Sequence, residues 1–368
     1  MMITVLFYTF VVASVIQIVY YISFSFFVFS KDKNKTAPKN LSISVIICAK
    51  NEAKNLLRNL PSVINQKYQN FEIVLINDAS SDNTLEVMED FKKKNSNIKI
   101  VDVKNNEAFW GNKKYALTLG IKAAKNEHLL FTDADCKPNS IDWISEMAQY
   151  FSKEKTIILG YGKHKPVKNS FINLLVRFET LLTAIQYFSY AKLGSPYMGV
   201  GRNLAYTKSE FFKTNGFIKH LQIRSGDDDL FIQEAATKEN TTISTSSKSF
   251  TISNAPETLK EWFRQKRRHI STAAHYKFKH QFFLGMFYTT KLVFLILAAI
   301  LLFIFNWKII LPIVIFYFTV QYIIVGFSAK KLHERKLTLF IPFLEICLVL
   351  FQFTIFITNI FSKPTHWK

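Results

Sequence analysis

Four stretches of the chain are long and apolar, and they lie on either side of a mixed middle region. The apolar stretches are residues 3–29, 287–305, 309–328 and 338–361. An α-helix needs about 20 residues to cross the hydrocarbon core of a membrane, and each stretch is near that length. The pattern predicts an N-terminal transmembrane helix within residues 1–30 and about three C-terminal transmembrane helices within residues 285–362.

The middle region, from Leu41 to about residue 250, alternates short β-branched runs with polar segments of helical periodicity. The periodicity predicts strands at residues 42–48, 71–76, 98–103 and 128–132, and helices at residues 52–65, 84–94 and 113–125. Such alternation is typical of βαβ units, which build a mostly parallel sheet. We therefore expect an α/β domain over residues 41–280, with ligands bound beyond the carboxyl ends of the strands.

Residues 171–193 have a helical pattern but are apolar over an unusually wide face. This pattern is typical of a helix that lies at the membrane interface. It is equally typical of a helix buried in a protein core, so the sequence leaves both interpretations open.

Basic residues cluster beside the apolar stretches, in residues 31–39 and 329–336. Because Lys and Arg near membrane helices favour the cytoplasmic side, both clusters predict an integral protein of the cell inner membrane with a cytoplasmic middle domain. Topology thus explains the net charge of +20, and no nucleic-acid recognition motif accompanies it. A cleaved signal peptide is disfavoured because the first apolar stretch is too long and lacks a small-x-small site. Three cysteines without metal-ligand spacing agree with a reducing compartment.

Two carboxylates directly follow the fourth predicted strand. Residues 128–132 are largely apolar, as in a buried strand, and Asp133-Ala134-Asp135 comes next. Alternate side chains of an extended segment can converge on one divalent cation, and Mg2+ or Mn2+ would bridge them to a diphosphate. Solvated loops also contain Asp-x-Asp triplets, so this motif gains weight only from its neighbours.

Polar residues follow the first two predicted strands as well. Ala49, Asn51 and Glu52 lie at the end of the first strand, and Asp78 lies at the end of the second. An acidic residue at a strand end can accept hydrogen bonds from a base or a ribose. These positions predict nucleotide contacts at the same sheet edge.

Two cations are candidates for phosphate binding. Lys113 follows Gly111 and Asn112 at the start of a predicted helix, where its charge opposes the helix dipole and favours a functional explanation. Arg268 belongs to a basic segment just before the membrane. Contact with lipid headgroups and bidentate binding of a departing diphosphate both explain Arg268.

Three consecutive acids, Asp227, Asp228 and Asp229, follow Gly226. Their mutual repulsion is expected to raise the pKa of at least one carboxyl group. Such a group can act as a general base toward a sugar or lipid hydroxyl. A helix N-cap with an acidic first turn, or a second cation site, would explain the same pattern.

In this order, the segments resemble the family 2 glycosyltransferases, whose catalytic domain has the GT-A fold, over about residues 41–275. The matching segments are Ser44 to Glu52, Asn77 to Thr84, Lys113 with Ala116 and Leu117, Asp133 to Asp135, Gly199 to Tyr206, Gly226 to Asp228 and Gln265 to His269. Two departures are Asn112, which separates the family's Gly-Lys pair, and His269, which replaces the family's Trp.

The resemblance implies roles for individual residues. The implied donor-binding residues are Ala49, Asn51, Glu52, Asp78, Lys113, Asp133 and Arg268, with Asp133 and Asp135 holding the metal. The implied sugar or acceptor residues are Gly201, Asn203, Asp229, Gln265 and His269. Asp228 is the implied catalytic base, and Asp227 is the alternative because the register of the motif allows both.

The implied activity is inverting transfer of a sugar from a UDP- or GDP-linked donor to a hydroxyl of a lipid, lipid-linked or glycan acceptor. A processive polysaccharide synthase ranks second, because three C-terminal spans are few for a polymer channel and the Trp is lost. A non-catalytic membrane subunit ranks third, because the metal, base and diphosphate elements are all retained.

Overall fold

The computed structural model describes residues 1–30, 41–104, 113–223 and 225–362. The strands are β1 (Ile43–Ala49), β2 (Phe71–Asp78), β3 (Ile98–Val103), β4 (His128–Phe131), β5 (Lys137–Pro138), β6 (Ile157–Leu159), β7 (Gly162–His164), β8 (Leu204–Thr207), β9 (Thr241–Ile243) and β10 (Thr251–Ser253). The helices are α1 (Met2–Val28), α2 (Ala53–Ile64), α3 (Thr84–Lys94), α4 (Lys113–Ala123), α5 (Trp143–Ala148), α6 (Phe171–Lys192), α7 (Lys208–Lys213), α8 (Asp229–Ala235), α9 (Leu259–Ala273), α10 (Phe278–Ile304), α11 (Trp307–Lys331) and α12 (Ile341–Phe361).

The predicted strands and helices are confirmed with small shifts at their ends. The basic residues 31–39 and the pair Gly111-Asn112 lie outside the described residues.

The main sheet has seven strands in the order β3-β2-β1-β4-β8-β6-β9. Strands β1 to β4 run parallel, and β8 is antiparallel to both of its neighbours. Strands β1 and β2 are buried along nearly their whole length, which explains why their sequences are continuous apolar runs. The predicted α/β fold with a mostly parallel sheet is confirmed.

Helices cover both faces of this sheet. On one face, α2, α3 and α5 bury Leu56, Met88 and Trp143 against the strands. On the other face, α4 and α6 pack on the sheet, and the same hydrophobic core continues into α1, α10 and α11. The domain and the apolar helices therefore share one core.

Helix α6 connects these two parts. Its residues Phe178 and Ile185 are fully buried, and the Tyr187 hydroxyl donates to the carbonyl of Gly160 in the domain at 2.8 Å. The Phe188 ring of α6 stacks on Phe27 of α1 at a centroid distance of 5.2 Å. Of the two interpretations of its wide apolar face, the structure supports a helix that is buried between the sheet and the apolar helices.

Four helical stretches are long and apolar enough to span a membrane: Met2–Val28, Phe278–Ile304, Trp307–Lys331 and Arg335–Phe361. At the domain side of the bundle, the Lys331 ammonium donates to the Phe27 carbonyl at 2.9 Å and joins the ends of α11 and α1. At the opposite side, the rings of Phe7 in α1 and Phe305 after α10 stack at 4.9 Å. Helices α1, α10 and α11 therefore run side by side along the length of the bundle.

Helix α12 packs differently from α10 and α11. Near its start, Phe343 contacts Phe171 of α6 at a centroid distance of 5.8 Å. Farther along, Phe351 stacks on Trp262 of α9 at 3.8 Å. Both contacts join α12 to helices that belong to the middle region, while Glu345 of α12 also pairs with Lys291 of α10. Membrane crossing by all four stretches stays a prediction.

Candidate functional site

The carboxyl ends of β1, β2 and β4 meet at one edge of the main sheet. Because β8 is antiparallel, Leu204 at its start pairs with Phe131 at the end of β4, which brings the turn before β8 to the same edge. A pocket at this edge is lined by Lys113, Asp133, Gly201, Asp227 and Asp228, which were predicted from the sequence, together with apolar side chains. The pocket is also lined by Cys48, Thr132 and Tyr206, which the sequence did not indicate.

The segment after β4 holds potential metal ligands close together. One carboxylate oxygen of Asp133, one of Asp135 and the Cys136 sulfur lie within 4.8 Å of one another. The Asn59 side chain donates to the Ala134 carbonyl at 3.0 Å and anchors the residue between the two acids. The two aspartates are therefore positioned to bind one cation together.

A hard divalent cation fits the two carboxylates rather than the thiol, because Mg2+ and Mn2+ prefer oxygen ligands. Burial, and next the Asp135 charge, raise the pKa of Cys136 well above its ordinary value. The protonated sulfur donates to Asp135 Oδ1 at 3.3 Å and thereby orients that carboxylate. Asp135 itself reaches the surface, although the protein packed around its carboxylate and the nearby Asp133 raise its pKa.

Lys113 connects the β4 segment to the acidic segment before α8. Its ammonium lies 3.1 Å from Asp133 Oδ1 and 2.9 Å from Asp227 Oδ2. Burial acts to lower the pKa of Lys113, but the two carboxylates outweigh it and the pKa is well above its ordinary value. Lys113 is therefore charged at neutral pH and shared by two acids.

Gly226 turns the chain just before the acids. Its φ of +87° is left-handed, and a Cβ at this position would lie 2.7 Å from Leu230 Cδ1 and 2.8 Å from Asp229 Oδ1. Glycine meets both the conformational and the steric requirement. The turn directs Asp227 and Asp228 to the pocket, while Asp229 starts α8.

Asp227 and Asp228 are neighbours in different electrostatic environments. Burial acts to raise the pKa of Asp227, but the Lys113 ammonium outweighs it and the pKa is lowered. For Asp228, burial and the charges of Asp227 and Asp229 raise the pKa to about 7, even though the Gly201 N–H donates to Oδ2 at 2.7 Å. A carboxyl group that titrates near neutral pH is suited to accept a proton. Of the two candidates for the base, Asp228 has the matching properties.

Two residues predicted to face the acceptor are buried in the domain. Asp229 is buried, and its Oδ2 accepts hydrogen bonds at 2.6 Å from the hydroxyls of both Thr272 and Tyr276. Asn203 is fully buried, and its Oδ1 accepts from Trp143 Nε1 at 3.1 Å. Both side chains therefore bind protein groups in the interior, and an acceptor role for Asp229 and Asn203 stays a prediction.

The predicted nucleotide residues lie at the same edge as the pocket. Asp78 ends β2 and is buried; burial raises its pKa, although Lys50 and Lys113 act in the opposite direction. Asn51 and Ala79, which follow the ends of β1 and β2, have left-handed φ values of +56° and +47°. Alanine rarely adopts this conformation, and such strain is typical of binding sites.

Ala49 and Glu52 have supporting positions at this edge. Ala49 is buried as the last residue of β1. The Glu52 N–H donates to the Thr84 hydroxyl at 2.9 Å, and its carboxylate accepts from the Asn55 side chain at 2.5 Å. The first hydrogen bond ties the loop after β1 to the start of α3, and the second joins Glu52 to the first turn of α2.

Arg268 in α9 lies within electrostatic range of the pocket. Burial lowers its pKa, while the charges of Asp227, Asp133 and Asp228 act in the opposite direction. Two of these acids, Asp133 and Asp227, are the ones that Lys113 contacts. The position of Arg268 is compatible with contact to an anionic ligand in the pocket.

The other polar residues of α9 have different surroundings. Gln265 is half-buried and His269 is exposed, one turn before and one residue after Arg268. Lys266 contacts Glu179 of α6 at 2.6 Å. Helix α9 thus presents one side to the pocket and another to the apolar helices.

Lys114 also supports the site, although no pattern in the sequence predicted a role for it. Its side chain is buried, and its ammonium donates to the carbonyls of His220 and Ile223 at 2.8 and 2.9 Å. These carbonyls lie just before the acidic segment, so Lys114 helps to position that segment. Its adjacency to Lys113 is the only sequence signal for this contact.

Comparisons with known proteins agree with this architecture. The model of glycosyl transferase family 2 matches residues 44–212. A poly-beta-1,6-N-acetyl-D-glucosamine synthase of Staphylococcus epidermidis is 42% identical over 93 residues, which are 25% of this chain and 21% of that protein. A 4,4'-diaponeurosporenoate glycosyltransferase of Staphylococcus haemolyticus is 28% identical over 197 residues, which are 52% of this chain and 50% of that protein. The chain therefore spans half or less of the length of these relatives.

The fold also matches a solved structure, the mannosyltransferase PcManGT of Pyrobaculum calidifontis in complex with GDP-Man and Mn2+. The superposition has a TM-score of 0.61 and covers 95% of this chain and 99% of that one, at 13% sequence identity. At this identity the similarity concerns the fold. Residues 44–212 thus match glycosyl transferase family 2, in a chain that has a GT-A fold and helices long enough to span a membrane.

Proposed function

We propose that this protein is an inverting, metal-dependent glycosyltransferase that moves a sugar from a nucleotide-diphosphate donor to a hydroxyl of a lipid, lipid-linked or glycan acceptor. The observation that carries this proposal is the pocket at the sheet edge. There, Asp228 has a pKa of about 7 beside a lysine that joins Asp133 to Asp227. This arrangement supports a role for Asp228 as proton acceptor beside charged groups that would bind a diphosphate.

The donor end of the reaction belongs to the segment after β4 and to two cations. Asp133 and Asp135 would hold Mg2+ or Mn2+, which when bound neutralises charge on the diphosphate. Lys113 and Arg268 would stabilise the negative charge that develops on the leaving nucleotide. Asp78, with Asn51 and the neighbouring residues Ala49 and Glu52, would contact the base or ribose of a UDP- or GDP-linked sugar.

At the acceptor end, Asp228 acts as the general base. The acceptor hydroxyl gives its proton to the Asp228 carboxylate while its oxygen forms a bond to the anomeric carbon. The bond from that carbon to the diphosphate oxygen breaks, and its electron pair leaves with the nucleotide diphosphate. A single displacement inverts the anomeric configuration. Gly201 fixes Asp228 for this step through its N–H donor.

A membrane-associated acceptor is supported by the shared core of the domain and the apolar helices. Helices of this length and hydropathy are expected in a bilayer. The basic loop before α12 favours a cytoplasmic catalytic domain at the inner membrane. An acceptor that is a lipid or is linked to one would meet the domain at that surface.

A processive polysaccharide synthase is the second candidate. It is supported by the 42% identity to the S. epidermidis synthase, although this match covers 21% of that protein. The two activities differ in product size, because a polymerase yields chains of many sugars and a single-transfer enzyme yields one addition.

The proposal is tested with purified protein in lipid, incubated with a panel of UDP- and GDP-linked sugars and with Mg2+ or Mn2+. We expect nucleotide release that depends on the cation and on added membrane lipid, and a product whose mass shows the added sugar. Asp135→Asn is expected to abolish release without loss of folding. Equal release by the wild type and this variant would support the third candidate, a non-catalytic subunit with a copurified partner enzyme.

A further inference from the structure

A second cavity lies among the apolar helices, away from the pocket at the sheet edge. Helices α6, α10 and α12 form its walls, and its polar lining includes Glu179, Gln186, Tyr288, Lys291, Glu345 and Gln352. Leu182, Leu348 and Val349 supply apolar wall. Ionisable side chains are costly in a membrane, so a cavity that they line is a candidate functional site.

The charges of this cavity are balanced. Lys291 forms an ion pair with Glu345, and their side chains are 2% and 0% exposed. Glu179 pairs with Lys266 of α9 at 2.6 Å. Since each carboxylate has its own cation, the cavity offers no net positive charge to a phosphate. An uncharged ligand is favoured.

Glu345 has an unused acceptor position in the cavity. Its Oε1 contacts Lys291 and accepts from the Tyr21 hydroxyl at 3.4 Å. Its Oε2 is buried and has no hydrogen-bond partner among the described residues. A buried carboxylate oxygen without a donor is unfavourable, and a hydroxyl group of a ligand would satisfy it.

Other groups in the cavity could form a second hydrogen bond with a ligand and contact its apolar part. The Tyr288 hydroxyl donates to Gln186 Oε1 at 3.3 Å, which orients the Gln186 amide at the cavity wall. Leu348 and Val349 lie on the opposite helix of the same cavity. The cavity therefore combines hydrogen-bonding groups with apolar surface, and it lies between helices α6, α10 and α12.

We propose that this cavity binds the uncharged, hydroxyl-bearing headgroup of a membrane lipid, with the hydroxyl donating to Glu345 Oε2. The site is separate from the sheet-edge pocket and does not depend on the transfer reaction. Through Glu179 and Lys266 it adjoins α9, the helix that also carries Arg268.

The test is native mass spectrometry of the full chain in detergent, titrated with dioleoylglycerol and with its methyl ether, which lacks the free hydroxyl. A hydrogen bond to a charged group predicts about tenfold tighter binding of the free alcohol. Thr183 lines the cavity, and Thr183→Phe is expected to weaken dioleoylglycerol binding at least about tenfold by filling it. The matched control Thr319→Phe, on the exposed side of α11, should bind like the wild type.

A double variant separates the hydroxyl contact from folding. Lys291→Met with Glu345→Met removes both charges together at similar volume, and it should abolish the preference for the alcohol while the melting temperature is retained. Equal binding of alcohol and ether by the wild type would overturn the proposal, as would a preference that survives in the double variant. Tighter binding of dioleoylphosphatidic acid than of dioleoylglycerol would also contradict it, because it would identify an anionic ligand.

Discussion

Two clusters of charged side chains in this protein differ in their balance of positive and negative charge. At the sheet edge, Lys113 contacts both Asp133 and Asp227, and Asp228 lies beside them with a pKa raised to about 7. Among the apolar helices, one lysine is paired with one glutamate. An excess of carboxylates is tolerated where a cation and a reacting proton complete the site, whereas a balanced pair needs no charged ligand.

The largest expected effect concerns the base. Asp228→Asn keeps the size of the side chain but cannot accept the proton, so the transfer rate should fall about 10²- to 10⁴-fold. Titration with nucleotide should show unchanged binding. The matched control is Asp90→Asn, whose exposed carboxylate pairs with Lys93 on the surface. A variant with more than a tenth of wild-type activity would exclude Asp228 as the base.

The balanced pair should respond in stability rather than in transfer chemistry. Glu345→Gln leaves Lys291 buried without its carboxylate and should destabilise the fold by about 3–5 kcal/mol. The double substitution to methionine, which removes both charges, should come much closer to the wild type. Thermal unfolding in detergent measures both variants. If the single variant is as stable as the double one, the pair is not a structural unit.

Lys113→Met should act on the donor. The variant removes the cation that two acids share, and a lost hydrogen bond to a charged group corresponds to about a 10- to 100-fold weaker affinity for the nucleotide diphosphate. Isothermal titration with UDP and GDP in the presence of Mn2+ measures this change. Lys93→Met, an exposed control, should leave the affinity unchanged. Equal affinities for both variants would remove Lys113 from the donor site.

The smallest effect is the dependence of the rate on pH. Because Asp228 must be deprotonated to act, a pKa of about 7 predicts a plateau above neutral pH and roughly a tenfold loss for each unit below it. The folded pKa lies above the unfolded value, so protonating Asp228 between about pH 7 and pH 4 stabilises the fold. A fall in the transfer rate between pH 7 and pH 4 would therefore not result from unfolding caused by protonation of Asp228. A flat profile down to pH 5 would contradict the assignment.

The sequence predicted most of the sheet and most of the pocket. Strands β1, β2 and β4 are continuous apolar runs followed by polar residues, so their ends could be located and Asp78, Asp133 and Asp135 placed at one edge. The order of the motifs then indicated which acids lie close together. Such local patterns predict the position of these residues because a parallel sheet aligns the ends of its strands.

Side-chain direction could not be predicted in the same way. Asp228 and Asp229 are adjacent, but the first caps α8 and faces the pocket whereas the second enters the helix and binds Thr272 and Tyr276. Likewise Asn203 lies in a loop that resembles an acceptor site but turns into the core. Only contacts between distant parts of the chain decide such directions, and no pattern along the sequence contains them.

In the proposed mechanism, Asp133 and Asp135 hold a divalent cation against a nucleotide diphosphate. Pulsed electron paramagnetic resonance of Mn2+ bound to the protein with UDP or GDP measures this arrangement through the coupling between the metal and phosphorus. We predict a phosphorus coupling in the wild type and its loss in Asp135→Asn. A coupling of equal size in that variant, or Mn2+ binding without any phosphorus coupling in the wild type, would contradict the account.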